Sequence, residues 1–277
     1  MKKIDIHIHI GKLLHSKPGL TVRDALNFMD ELEIEKACVM SIENPEEVDY
    51  YVTSKQVLRY CRQQPDRLIP FCNVDPRRGN PGKFDPYPII ARYVDMGCKG
   101  LGEMLGGLWI DDPLQMDMYE VCQKLKLPVM LHIDKYRNMD EIGLPHLEKI
   151  LKTFPDVTYI GHAYHWWSEI SADIKDEDRF QYPEGAIKPG GRLDELLQKY
   201  DNIYADLSAG SGYNALTRDP AFMKEFMTRN QDKVLFGTDI VYKGHDIQQH
   251  TAVESLGLSK EVKQKIYYSN AEGLLNL

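Results

Sequence analysis

No apolar run in this chain approaches the ~18 residues that a membrane-spanning helix needs, so no membrane partner is expected. The cysteines are too few and too scattered for a disulfide framework. There are 5, at Cys38, Cys61, Cys72, Cys98 and Cys122, and no two form a CxxC pair. Three lie in or beside apolar, strand-like runs, which reads as buried free thiols in a reducing compartment. Positive charge is also short. Lys and Arg number 34 against 42 Asp and Glu, a net charge of −8. That argues against a general nucleic-acid binder, which needs a basic field, but leaves room for a small basic pocket. The opening MKKIDIHIHIG is basic without an apolar h-region. A secretory leader is therefore not expected, and the expected location is cytoplasmic. Internal repeats and shifts of composition are missing as well, so residues 1–277 are expected to form a single domain.

What the chain does contain is a regular alternation. Short β-rich apolar runs recur at 3–10, 37–42, 68–74, 99–104, 128–133, 158–162, 203–207 and 234–238. Helical segments separate most of them, at 22–32, 54–64, 88–95, 117–125, 144–154 and 192–200. Eight strands alternating with helices predict an α/β protein with a parallel sheet, and a (β/α)8 TIM barrel is the simplest closure of eight. An open, doubly wound sheet is the alternative. Two stretches read as long loops: 77–87, rich in Gly and Pro, and 165–191, after the sixth strand. In a barrel such βα loops build the active-site face.

The first strand reads Asp5-Ile6-His7-Ile8-His9. Residues two apart on a strand share a face, which puts Asp5, His7 and His9 on one side and the isoleucines on the other. Two adjacent imidazoles at a strand end form a bidentate clamp for a metal. Taken alone, the pair could equally be surface histidines. Later strands end in the same way, with Glu103 after Gly-Leu-Gly, His132 after Met-Leu, His162 after Ile-Gly and Asp239 after Gly-Thr. In a parallel barrel all of these ends meet on one face. A shared metal site explains the set better than five coincidental polar termini.

These positions resemble the amidohydrolase superfamily, and within it amidohydrolase family 2. His7 and His9 match its first-strand HxH, while His132, His162 and Asp239 match its residues on strands five, six and eight. PDRLIP at 65–70, running on to Asp75-Pro76, resembles the stretch around its third strand, and YSNAEGLL at 268–275 resembles its C-terminal ending. The resemblance spans the whole chain and implies the barrel and a divalent metal, zinc with manganese as the alternative, at one or two ions per chain. The branch hosts hydrolases, lactonases, hydratases and non-oxidative decarboxylases, so it fixes the scaffold more firmly than the reaction. Many relatives carry a carbamylated lysine on strand four. Here Lys99 lies four residues before Glu103, about 13 Å deeper at ~3.3 Å per residue. Glu103 is therefore the strand-end candidate. A strand-four glutamate also occurs in some members, including TatD-type nucleases.

A divalent cation with imidazole and carboxylate ligands lowers the pKa of bound water toward ~7. The leading expectation is thus a metal-dependent hydrolase that cleaves a C–O, C–N or P–O bond of a small molecule. Asp239 would carry the proton, and His162 would bind a second metal or polarise the substrate oxygen. A decarboxylase or hydratase of a small carboxylic acid is the alternative, and a non-catalytic metal-binding scaffold is the third reading. Asp5 is read as a deeper partner or a structural hydrogen-bonding group. Asp206 faces inward if Tyr204 does, and Ser208, Ser211 and Tyr213 either touch substrate or belong to a polar loop that caps the next helix. Arg218 either binds a substrate carboxylate or pairs with Asp219 or Glu225. Tyr164, His165, Trp166 and Trp167 either roof the pocket or pack the loop. His15, His146, His245 and His250 have no strand-end context and are read as surface or loop residues. A homo-oligomer is compatible with such a barrel.

Overall fold

The computed structural model describes residues 1–46, 49–78 and 84–277. Of the expected loop at 77–87, residues 79–83 lie outside the described residues. Strand and helix alternate: β1 Lys3–Ile8, α1 Val22–Glu31, β2 Ile34–Val39, α2 Ser54–Cys61, β3 Leu68–Cys72, α3 Tyr87–Asp95, β4 Gly100–Met104, α4 Pro113–Leu125, β5 Val129–His132, α5 Pro145–Thr153 and β6 Tyr159–His162. There follow α6 Tyr164–Ser168, α7 Arg192–Lys199, β7 Ile203–Asp206, α8 Ala209–Arg218, α9 Pro220–Arg229, β8 Val234–Leu235, α10 Gln249–Ser255, α11 Lys260–Gln264 and α12 Asn270–Leu275. The strands pair in sequence order from β1 to β8, all parallel.

Hydrogen bonds from Ile6 N to Phe236 O (2.9 Å), Asp239 N to His7 O (2.8 Å) and His9 N to Ile240 O (3.0 Å) join the first strand to the segment after β8. The architecture is the expected (β/α)8 barrel. β8 is shorter than the expected 234–238. Asp239 takes a left-handed φ of 55°, and the chain beyond Leu235 follows β1 without a regular ladder.

Helix starts follow local chemistry. Thr21 with Asp24 and Thr53 with Gln56 form capping boxes that satisfy the first amides of α1 and α2. Asp112 caps α4 with Pro113 behind it, so this helix begins before the expected 117. One apolar layer lies between strands and helices, with Val39, Leu101, Leu131 and Ala205 against Met29, Met118, Leu147 and Leu216. A second cluster joins Met40, Phe71, Met130 and Ile160. Gly100 belongs to this arrangement, because a Cβ there would lie 2.1 Å from the Phe71 ring.

β1 departs from the strict alternation expected of it. Its register against β2 slips between Asp5 and Ile8. Ile4 and Ile6 pack with Phe71 and Met130, whereas Ile8 and Ile10 pack in the outer layer. The segment after β6 is not structureless either, since it contains α6 and a 3-10 turn at Asp176–Phe180. All five cysteines are buried and unpaired. Among the described residues, no helix is long and apolar enough to cross a membrane.

Candidate metal centre

The C-terminal end of the barrel brings together all six residues singled out at strand ends: His7, His9, Glu103, His132, His162 and Asp239. The Nε2 atoms of His7 and His9 stand 3.1 Å apart. Glu103 Oε2 is 3.3 Å from each of them, and Asp239 Oδ1 is 3.3 Å from His9 Nε2 and 3.8 Å from His7 Nε2. Four ligands around zinc at ~2.0–2.1 Å stand about 3.3–3.4 Å apart along the edges of a tetrahedron. Three of these distances match that spacing at 3.3 Å, while His7 to His9 is shorter at 3.1 Å and His7 to Asp239 longer at 3.8 Å. Asp239 Oδ1 is buried and, among the described residues, accepts no hydrogen bond. Two facing imidazole nitrogens and an orphaned carboxylate oxygen are a donor set suited to a divalent cation.

The other oxygen of Glu103 faces a second group. Oε1 is 2.6 Å from His132 Nδ1 and 3.7 Å from His162 Nε2. The strands set this neighbourhood, because His132 and His162 are direct partners across β5 and β6. The 2.6 Å contact is a hydrogen bond rather than the spacing of two ligands on one ion, so a cation here would have to part the pair. Trios of donor atoms within 4.8 Å of one another are His7, His9 and Asp239, and His7, Glu103 and His162.

Behind the donors stand two buried carboxylates. Asp206 Oδ2 lies 2.9 Å from His7 Nδ1 and 3.1 Å from His162 Nδ1, and it accepts from the Ser208 hydroxyl at 2.5 Å. Asp5 supports backbone rather than imidazole. It accepts from the amides of His7 and Thr238 at 3.0 Å each and from the Thr238 hydroxyl at 2.6 Å. Burial pushes the pKa of Asp5 up to about 7 against these hydrogen bonds. Three successive βα turns carry left-handed residues other than glycine, namely Ala163 (φ 83°), Ala209 (φ 59°) and Asp239 (φ 55°). Such conformations persist where the surrounding structure over-determines them, often at functional sites.

The charges are mutually dependent. Burial disfavours protonation of His7, but Glu103, Asp239 and Asp206 overcome it and hold its pKa well above the ordinary range. His9 is raised in the same way, against burial, by Asp239 and Glu103. His132 is pushed up to about 9, as Glu103 and Asp134 override its burial. Burial opposes charge on Glu103, yet His7 and His132 keep it well below the carboxylate range. Asp239 is likewise lowered against burial by His7 and His9. The metal-free cluster thus attracts protons to the same nitrogens that a cation would occupy.

A cavity of about 320 Å³ opens above these residues. Glu103, His9 and Asp239 reach it, and the rings of Tyr50, Tyr164, Phe180, Tyr182 and Tyr242 wall it, with Arg137 and His245 at the same opening. Ser211 lines it as well. Ser208 is buried against the imidazoles instead, and Tyr213 faces a neighbouring hollow. Of the cluster after strand six, Tyr164 reaches the cavity, while His165, Trp166 and Trp167 are buried packing. Arg218 lies in a separate hollow beside Asp173 and Asp178. Lys99 is exposed ahead of β4, away from Glu103. His15 pairs with Asp49, His146 with Asp111, and His250 with Tyr267. His245 is a loop residue too, but it alone of these four lines the cavity. The turn after β8 brings it to the cavity, a placement that strand-end reasoning does not reach.

The sequence model described as amidohydrolase matches residues 4–277. No curated protein matches the sequence. Among solved structures, the chain is similar to a probable 2-pyrone-4,6-dicarboxylic acid hydrolase from Acinetobacter baumannii with citric acid bound. Identity is 14%, each chain is covered by 100%, and the TM-score is 0.68. It is also similar to 2,6-dihydroxybenzoate decarboxylase from Rhizobium, with 17% identity, 99% and 98% coverage and a TM-score of 0.61. A third is 5-carboxyvanillate decarboxylase from Novosphingobium aromaticivorans complexed with manganese, with 16% identity, 93% and 81% coverage and a TM-score of 0.61.

Proposed function

Because the chain belongs to the amidohydrolase family, and so is an enzyme of a metal-dependent superfamily, we propose that its cavity hydrolyses a C–O, C–N or P–O bond of a small molecule. In this reading His7, His9, Glu103 and Asp239 hold a divalent cation, zinc with manganese as the alternative. The convergence of His9, Glu103 and Asp239 on His7 within 3.8 Å carries the reading. A bound cation of this kind lowers the pKa of water toward ~7, which supplies a nucleophile at neutral pH. Asp239 is 22% exposed, against 0% for His7 and 1% for His9, so of these it faces the reacting group most openly. Its carboxylate takes the proton of the attacking water and returns it to the leaving group. His162 would polarise the substrate oxygen, or would join Glu103 and His132 in holding a second cation, with Glu103 serving both ions. A cytoplasmic location and a single domain over 1–277 belong to the same proposal.

Arg137 and the aromatic walls of the cavity also suit a carboxylated ring, and this favours decarboxylation of a small carboxylic acid as the second reading. Protein purified without added metal, then titrated with zinc or manganese, is tested on esters, lactones, amides and phosphoesters, and on aromatic and small carboxylic acids. Release of an acid with an alcohol or amine supports the hydrolase. Carbon dioxide as the product overturns it in favour of the decarboxylase. A metal content that never exceeds one per chain removes the bridging role of Glu103.

A further inference from the structure

Asp206 touches neither the cavity nor the atoms that converge on Glu103, yet one of its oxygens reaches two imidazoles carried by different strands. We propose that Asp206 is a positioning residue that fixes the tautomer and orientation of His7 and His162 together. The geometry has no slack. Oδ1 accepts the amide of Ser208 at 3.0 Å, and Oδ2 receives the Ser208 hydroxyl proton at 2.5 Å. With its only proton committed, Ser208 Oγ turns lone pairs toward His162 Nδ1 at 3.0 Å and His7 Nδ1 at 3.3 Å. Both ring nitrogens therefore face acceptors. Each imidazole stands between two carboxylates, and Asp206 is the nearer: 2.9 Å from His7 Nδ1 against 3.3 Å from His7 Nε2 to Glu103, and 3.1 Å from His162 Nδ1 against 3.7 Å from His162 Nε2 to Glu103. The neutral rings therefore favour the proton on Nδ1, leaving Nε2 bare. The opposite tautomer would set a nitrogen lone pair against Asp206, at the shorter distance in both rings.

The surroundings hold the carboxylate in place. Gly237 stands opposite it, where a Cβ would lie 2.2 Å from Asp206 Oδ1. Trp167 Nε1 donates to the Asp206 carbonyl at 2.8 Å, tying the residue to α6. Ser208 sits at the N-cap of α8, but its hydroxyl serves Asp206 in place of a helix amide. One carboxylate thus couples a ring on β1 to a ring on β6. The consequence for metal binding rests on the ligand assignment proposed above, whereas the tautomers do not.

The test is nitrogen NMR of 15N-histidine-labelled, metal-free protein, at a pH high enough to neutralise the rings, with zinc affinity measured alongside. In the wild type, His7 and His162 are expected to show protonated Nδ1 and bare Nε2. Asp206→Asn should move both rings together toward the other tautomer or a mixture, and weaken zinc binding by about 10–100-fold, the usual effect of losing a carboxylate behind a ligating imidazole. If only one ring changes, or if both keep the wild-type tautomer while the melting temperature falls, Asp206 is merely structural. Should Asp206→Asn fail to fold, Ser208→Ala reads the same point. Removing the donor that competes for Oδ2 should shift both Nδ1 signals together, and a shift of one alone overturns the coupling. A protein that binds no zinc while both tautomers are as stated would sink the ligand assignment and leave the role of Asp206 intact.

Discussion

His7 and His132 each present a ring nitrogen to Glu103, yet what stands behind the two rings differs. His7 is fully buried, and its far nitrogen meets Asp206, which ends β7 and pairs with Leu235 of β8. The side chain of His132 is 15% exposed, and its far nitrogen meets Asp134 at 3.2 Å. Asp134 belongs to the loop after β5. It is held by the amides of Tyr136 and Arg137, both at 2.6 Å, and by the Arg137 guanidinium at 2.9 Å. One half of the site is therefore backed by strands and the other by a loop whose arginine also faces the cavity. Groups backed by strands are held more rigidly than groups backed by loops. The first half suits permanent retention of an ion, and the second suits adjustment when a substrate arrives.

The largest effect is expected where the strand-backed half loses its donors. The double variant His7→Ala, His9→Ala should lose all bound metal and all detectable activity while keeping its far-ultraviolet dichroism. Metal analysis and a melting curve check this, and full occupancy in the double variant defeats the assignment. Next comes Asp239→Asn, which preserves shape and removes the base. With metal bound, kcat should fall by ~10² to 10⁴. Near-wild-type turnover would transfer the proton to another group lining the cavity, for which His245 is placed.

The difference between the halves also explains what the sequence made legible. His7, His9, Glu103, His132, His162 and Asp239 each close an apolar run, so position along a strand was enough to collect them. Asp206 was visible as an inward-facing residue, but its two partners lie on β1 and β6, and no spacing within β7 points to them. Asp134 follows His132 by two residues, the same period that pairs His7 with His9. That signal was available, but the loop that turns its carboxylate back toward the ring was not. Arg137, Phe180, Tyr182 and His245 reach the cavity by way of long turns, and their placement depends on contacts such as Tyr136 against Phe180 that no periodicity records. The strands were read well because burial on both faces leaves continuous apolar runs. β8 was read too long because Asp239 leaves the extended conformation to face the site.

A smaller effect should come from the loop-backed half. Asp134→Asn removes the charge behind His132 while leaving His7, His9 and Asp239 untouched. If a second cation binds between Glu103 and His132, its affinity should weaken by about 10–100-fold, with the first equivalent unchanged. Calorimetric titration with zinc would show one retained and one weakened step. Equal weakening of both steps would mean that the halves are not independent.

The smallest effect per unit change is expected from pH, and its sign follows from His132. Glu103 and Asp134 push this imidazole up to about 9 in the metal-free protein, against its burial. Its ordinary value is ~6.5, so between these limits the folded protein carries a proton that an unperturbed histidine would have released. A cation at His132 must displace that proton. Its apparent affinity should therefore rise about tenfold per pH unit up to about 9 and level off above it, with about one proton released at neutral pH. Asp134→Asn removes one of the two carboxylates that raise the value, so the plateau should begin at lower pH in that variant. Titrations in buffers of different ionisation enthalpy count the proton directly. An affinity that is flat between pH 7 and 9 would show that no cation binds at His132 and would leave the loop-backed half to the substrate alone.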